Sequence, residues 1–313
     1  MAVDPSVQKL LDLLAAGRSA SSAGQDIAAQ RNNFRGLLKL AGGSSPTMVT
    51  SRDDVIAGPG GPLRLRLYKP QAASVAAGPG LLFLHGGGFY AGDLDTHDGI
   101  CRVLAEASGC RIVAVDYRLA PKHPFPAAIE DGVVALTALR ADPKKWGIDS
   151  WQLAIGGDSV GGNLAAVICQ QWRSLGHPQL AAQLLICPAL DAAGDLPSRR
   201  LFANGYYLEA DMIAEDFARY CPSDIETVDP RLSPLRQSDL SGLPPAIIHA
   251  AECDPFCDEA VRYGERLREA GVAAAVTVHP GMIHLFYAFS RFIPKARAVL
   301  ETIGRELGEV LSR

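Results

Sequence analysis

The chain has no block of basic residues, no long apolar run and no paired Cys and His spacing, and each absence removes a class of function. Lysine and arginine together number 30, against 34 aspartates and glutamates, for a net charge of −4. Without a cationic cluster, nothing in the sequence is suited to a nucleic-acid backbone or an anionic membrane surface. No stretch approaches the roughly 20 apolar residues that a membrane-spanning helix needs. The first residues, Met1-Ala2-Val3-Asp4-Pro5, lack the charged start and apolar middle of a secretory signal, so a cytoplasmic protein is expected. Seven cysteines are an odd number with no zinc-like spacing of Cys and His, which fits free thiols in a reducing compartment. Neither a metal nor an organic cofactor is expected. Internal repeats and low-complexity segments are also missing.

What is present is a run of buried strands separated by helical patterns. Its 313 residues, 48% hydrophobic and 20% charged, are enough for one substantial core. The alternating segments Thr47–Ile56 and Leu63–Tyr68, joined by Gly58-Pro59-Gly60-Gly61-Pro62, predict an antiparallel hairpin. Apolar runs follow at Leu81–Leu84, Ile112–Val115, Leu153–Ile155, Leu184–Cys187, Ala246–Ala251 and Ala273–Val278. With helices between them they predict an α/β protein with a mostly parallel eight-stranded sheet and right-handed crossovers. Gly78-Pro79-Gly80 reads as a surface turn. Two regions do not fit the sheet. Residues 1–45 carry Val7, Leu10, Leu11 and Leu14, then Phe34, Leu37, Leu38 and Leu40, at helical spacing. Residues 190–235 contain Tyr206-Tyr207-Leu208 and the helical pattern Met212–Tyr220. An apolar stripe on helices outside the sheet must be buried on something.

The chemistry is concentrated in two glycine-rich turns. Gly157-Asp158-Ser159-Val160-Gly161 lies between the strand Leu153–Ile155 and a helical pattern beginning at Leu164. A serine on such a strand-to-helix turn is pushed out of the sheet, above the positive end of the following helix. Glycines at 157 and 161 are needed because the turn brings backbone segments too close for a Cβ. His85-Gly86-Gly87-Gly88 follows the strand Leu81–Leu84. A glycine run there exposes N–H groups that can meet the oxyanion of an acyl transfer.

A nucleophilic serine needs a base, and the base an orienting carboxylate, in the chain order acid then histidine. Of the histidines after Ser159, His177 falls at the far end of the serine's helix and His249 lies inside a buried strand. His279 ends the last strand, and His284 lies in the loop beyond it. Open α/β sheets build their sites in loops at the carboxyl ends of strands, so His284 is the expected base and His279 the alternative. Glu252, Asp254 and Asp258 compete for the acid. Asp254 is expected, since Pro255 ends the strand and holds the loop. Glu252 is a supporting group, and Asp258 is expected to cap the helix Glu259–Ala270.

These residues resemble the hormone-sensitive-lipase-like branch of the α/β-hydrolase fold, the bacterial family IV carboxylesterases. The resemblance rests on His85–Phe89, Tyr117-Arg118-Leu119-Ala120-Pro121 with Phe125-Pro126-Ala127-Ala128, Gly157–Gly162, Leu243-Pro244-Pro245, Asp254-Pro255 with Asp258-Glu259, and His284. It implies a triad of Ser159, Asp254 and His284, with an oxyanion hole from the N–H groups of Gly87, Gly88 and Val160. It makes His85 an organiser of the glycine loop, with Gly86, Gly157, Asp158 and Gly161 supporting, and gives Tyr117, Arg118 and Asp131 structural roles. It divides the chain into cap segments 1–45 and 190–235 and core segments 46–189 and 236–313. Val160 replaces the usual alanine, Leu285 a common glycine and Lys122 a usual glutamate; the first two bear on pocket size. The reaction implied is hydrolysis of short- to medium-chain acyl esters through an acyl-enzyme. The same triad also serves amidases, lactonases and deacetylases, and some members are non-catalytic receptors that have lost the histidine. A small-molecule ester is the expected partner, and pairing of two copies through the last strand is a family habit.

Overall fold

The apolar runs become the strands of a single eight-stranded sheet in the computed structural model, which describes residues 2–17, 26–71, 73 and 77–312. β1 (Val49–Gly58) and β2 (Gly61–Pro70) form the hairpin. Then come β3 (Gly78–Leu84), β4 (Arg111–Val115), β5 (Ile148–Asp158), β6 (Gln183–Ile186), β7 (Ala246–Cys253) and β8 (Ala274–Ile283). Their order is β1-β2-β4-β3-β5-β6-β7-β8. β2 runs antiparallel to β1 and β4, and every other pair is parallel. Gly58 pairs with Gly61, so the hairpin turn is only Pro59-Gly60, and Gly61 takes φ +116° to close it.

Ten α-helices accompany the sheet among the described residues: α1 (Pro5–Gly17), α2 (Ile27–Ala41), α3 (Asp98–Ser108), α4 (Ala127–Ala141), α5 (Pro143–Trp146), α6 (Val160–Ser174), α7 (Pro197–Leu201), α8 (Ala210–Tyr220), α9 (Cys257–Glu269) and α10 (Pro294–Leu311). Strand side chains alternate between two cores, as the twofold period of a strand dictates. Leu82, Leu84, Val113, Leu153, Ile155 and Leu185 pack with α4, α6 and α9. Leu81, Phe83, Ile112, Ala154, Leu184 and Ile186 pack with α3 and α10. Covering both faces is why the central strands read as unbroken apolar runs rather than alternating ones.

One expectation is overturned. Gly78-Pro79-Gly80 is no surface turn but the start of β3, where Gly80 pairs with Arg111 on one side and Leu153 on the other. A Cβ on Gly80 would meet the Ile148 side chain at 2.6 Å, so the glycine serves close packing. Pro79 is accommodated because the β3–β5 register shifts between Gly78 and Gly80.

The segments outside the sheet attach at different places. Val7 and Leu10 of α1 and Leu38 and Ala41 of α2 join the α3/α10 core, and the Asp4 N–H donates to Gly281 O at 3.0 Å. Residues 18–25 of this first segment lie outside the described residues. In the second, Tyr220 of α8 stacks on Phe89 (3.8 Å between centroids, 1° between planes) and meets Phe125 edge-on. Both segments touch the loop after β3: Arg31 of α2 donates to Tyr90 O at 2.6 Å, and Arg219 of α8 lies over the Tyr90 ring. Among the described residues no helix is long and apolar enough to cross a membrane.

Candidate active site

Ser159 is the single residue between β5 and α6, and its backbone has φ +55° and ψ −121°. That region is strained for a side-chain-bearing residue, at a cost of about 1–3 kcal/mol. The surroundings hold it there: the Ser159 N–H donates to Ile186 O at 2.8 Å, and the Ser159 carbonyl accepts from Asn163 and Ala189 N–H, each at 3.2 Å. A Cβ on Gly157 or on Gly161 would overlap Leu84 O. The turn can pass this close to β3 only with glycine at both positions.

The side chains of Ser159, His284 and Asp254 meet at the carboxyl ends of β5, β8 and β7. His284 Nε2 lies 2.9 Å from Ser159 Oγ, and His284 Nδ1 lies 2.7 Å from Asp254 Oδ2. The carboxylate accepts the Nδ1 proton, which leaves Nε2 free to accept from the hydroxyl. Asp254 Oδ1 is taken up by the Phe256 N–H at 2.9 Å. All three residues are buried, and Asp254 is only 1% exposed. Leu285, just after the histidine, has φ +63°, which explains why glycine is common there: this chain bears the left-handed strain on a buried leucine.

The alternatives lie elsewhere. His279 Nε2 sits 3.1 Å from His249 Nδ1, and His249 Nε2 is 3.0 Å from Glu306. His177 stacks on Trp172. Glu252 accepts the Gly281 N–H at 2.8 Å and so pins the loop that leads to His284. Asp258 does not cap a helix through its own side chain as expected. α9 begins at Cys257 after Phe256 with no side-chain cap, and Asp258 Oδ2 accepts the Ser198 N–H at 2.8 Å, tying α9 to α7. A first-turn aspartate lies past the capping position, so its carboxylate is available to a neighbouring element.

The glycine loop is held from below. Asp158 Oδ1 accepts the Gly86 N–H at 2.9 Å, while Oδ2 accepts from Tyr287 OH at 2.9 Å and faces His97 Nε2 at 3.3 Å. Burial alone would push the Asp158 carboxyl up, but His97 beside it, with the Tyr287 hydrogen bond and His85, overcomes it and its pKa is lowered. Gly87 (φ +121°) and Gly88 (φ +60°) turn the loop through left-handed backbone. Among the described residues no protein acceptor takes the N–H of Gly87, Gly88 or Val160. His85 stacks on Tyr117 at 4.2 Å, its carbonyl accepts from Tyr117 OH at 2.7 Å, and its Nδ1 lies 2.8 Å from Gly86 O. Arg118 and Asp131 pair below, with the Arg118 N–H and Nε both on the carboxylate. His97 and Tyr287 were not legible as site residues. His97 precedes the serine, outside the nucleophile–acid–histidine order, and no spacing rule marks a tyrosine.

Cys187 also reaches this centre, its Sγ lying within 4.8 Å of ligand atoms on Asp254 and His284. Burial pushes its thiol well up, and His284 Nδ1 is already committed to Asp254. A neutral thiol beside an occupied imidazole is a poor metal-ligand set.

The state of His85 has a consequence for stability. Burial, and then His97, push its pKa down to about 4, whereas the unfolded chain takes up the proton near 6.5. Between those values the unfolded state binds more protons, so stability falls as pH falls from about 6.5 to 4. This group contributes a loss of about 2–3 kcal/mol over that window. Urea unfolding at pH 7 and pH 4.5 reads it out, and a His85→Gln protein with the same acid slope as wild type sinks the assignment.

Comparison with known proteins agrees with this arrangement. The family described as alpha/beta hydrolase fold matches residues 81–288. The ethyl acetate hydrolase of Pseudomonas putida is 37% identical over 311 residues, covering 95% of each chain. Esterase LipI of Mycobacterium tuberculosis is 38% identical over 298 residues, covering 94% of this chain and 91% of its own. An ester hydrolase from the metagenome of Lake Arreo, solved with a bipyridine phosphonate derivative, superposes with a TM-score of 0.96 at 37% identity, covering 99% of this chain and 100% of its own. With its sheet order, its serine turn and these likenesses along nearly its whole length, the chain belongs to the α/β-hydrolase fold family, in the hormone-sensitive-lipase-like branch of carboxylesterases.

Proposed function

We propose that this carboxylesterase hydrolyses short- to medium-chain acyl esters through an acyl-enzyme on Ser159. The observation that carries the reading is the hydrogen-bonded chain Asp254–His284–Ser159, with the glycine loop against the serine, where a Cβ on Gly86 would lie 3.2 Å from Ser159 Cβ. His284 takes the hydroxyl proton as Ser159 Oγ attacks the ester carbonyl, and Asp254 holds the imidazole in the tautomer that can accept it. The N–H groups of Gly87, Gly88 and Val160 receive the oxyanion, already aimed because Asp158 fixes the loop through Gly86. His284 then protonates the leaving alcohol, and water repeats the sequence to release the acid.

We read residues 1–45 and 190–235 as two pieces of a cap and residues 46–189 and 236–313 as the catalytic core. Support comes from the convergence of Arg31 and Arg219 on the loop after β3, where a cover would exclude water and bound the acyl pocket. The buried Val160 and Leu285 favour a small acyl group, as does the relative named for ethyl acetate. The open edge of β8, with Val278 exposed, is the surface through which two copies would pair.

The test is a series of p-nitrophenyl esters from acetate to palmitate. We expect kcat/KM to peak among the shortest acyl groups and to fall about tenfold or more by laurate. A maximum at laurate or beyond would remove the small-pocket reading and leave the triad assignment standing.

A further inference from the structure

One carboxyl group outside the triad reaches the oxyanion loop. Asp216 stands on α8, and a Cβ placed on Gly88 would overlap its carboxyl, with Oδ1 at 2.8 Å and the other two atoms nearer still. The carboxyl therefore lies against the Cα of a residue whose N–H we assign to the oxyanion. Its side chain is 16% exposed. Arg219 Nη1 approaches Oδ1 at 3.3 Å, and among the described residues no donor takes Oδ2. The charged and titratable groups facing it are Arg219 and Glu215 from its own helix and Tyr90 from the loop after β3. Arg219 is shared: it also binds Glu215 at 2.7 Å and lies 4.7 Å over the Tyr90 ring. It leaves Asp216 only partly compensated.

We propose that Asp216 is a substrate-facing residue of the ester site and that its carboxyl group must be neutral for turnover. The proposal rests on the ester-hydrolase reading of Ser159 and its loop. A carboxylate beside Gly88 would oppose the negative charge that the loop's N–H groups stabilise, whereas a carboxylic acid does not and can itself donate a hydrogen bond. Burial pushes the Asp216 pKa up to about 8, against the downward pull of Arg219. At neutral pH most molecules then carry the proton. Turnover acquires an alkaline limb that the triad alone does not supply, and α8 becomes the element that sets it.

The test is the pH profile of kcat/KM for phenyl acetate, followed by pH-stat from pH 6 to 10, in wild type and Asp216→Asn. The wild-type profile should fall about tenfold per pH unit beyond the limb. The Asn variant, whatever its level at pH 7, should stay flat to pH 10. A wild type without the limb, or a variant that keeps it, overturns the proposal. A second readout needs no turnover. Wild-type Asp216 keeps its proton while the unfolded chain ionises near 3.8, so its contribution to stability falls as pH rises from about 4 to 8. The melting-temperature gap between Asp216→Asn and wild type should widen from pH 5 to pH 8 and then stop; a constant gap overturns the proposal. A wild type inactive at pH 7 would count against the ester-hydrolase reading alone, and the melting comparison would still decide whether Asp216 is held neutral.

Discussion

Replacing Ser159 with alanine lowers kcat toward p-nitrophenyl acetate by about 10⁴- to 10⁶-fold and leaves the fold intact. The hydroxyl is the group that hydrogen-bonds His284, at 2.9 Å, so its removal leaves the imidazole with nothing to activate. What survives is the rate owed to the oxyanion N–H groups and to substrate positioning. The strained backbone is no hazard to the variant. Alanine carries the same Cβ as serine, and the φ of +55° is held by the Ile186, Asn163 and Ala189 hydrogen bonds, none of which uses the side chain. Melting temperature should therefore stay within a few degrees of wild type while turnover collapses. A variant that keeps a tenth of the wild-type kcat would show that the nucleophile lies elsewhere.

The serine turn was legible because its geometry is written in residue types. Gly157 and Gly161 are there because Leu84 O occupies the space of a Cβ, and a steric demand of that kind always leaves a glycine in the sequence. The strands were legible for a similar reason, since burial on two faces leaves apolar runs. Their ends were not. β5 extends back to Ile148 and β8 forward to Ile283, because backbone pairing with a neighbour continues where the apolar pattern has stopped. Gly78-Pro79-Gly80 failed for the opposite reason: turn-forming residues sit inside a strand whose register slips to admit the proline. Side-chain partners that come from distant parts of the chain were the least legible. Tyr287 and His97 converge on Asp158 from either side of the serine turn. Asp216 reaches Gly88 from a helix that the sequence marked only by its apolar stripe. Long-range contacts of this kind leave no local spacing to read.

Changing Asp254 to asparagine, a replacement of the same shape, lowers kcat by about 10³- to 10⁴-fold. The direction follows from which oxygen is already engaged. Asp254 Oδ1 accepts the Phe256 N–H at 2.9 Å, and Oδ2 accepts from His284 Nδ1 at 2.7 Å. An asparagine keeps its carbonyl oxygen against the Phe256 N–H, since the reverse orientation would set two donors against each other. Its NH₂ then faces Nδ1, which must become an acceptor, and the ring proton moves to Nε2. A protonated Nε2 donates to Ser159 Oγ and cannot take its proton, so the base is lost although every heavy atom stays in place. Glu252→Gln and Asp258→Asn provide the contrast, because those carboxylates hold the N–H groups of Gly281 and Ser198 rather than the imidazole. Each should cost less than about tenfold in kcat, because neither touches the reacting atoms. Steady-state kinetics on the three variants, with melting curves to confirm folding, separates them. An Asp254→Asn enzyme within tenfold of wild type, or a Glu252→Gln loss as deep as that expected for Asp254→Asn, would transfer the orienting role to another carboxylate.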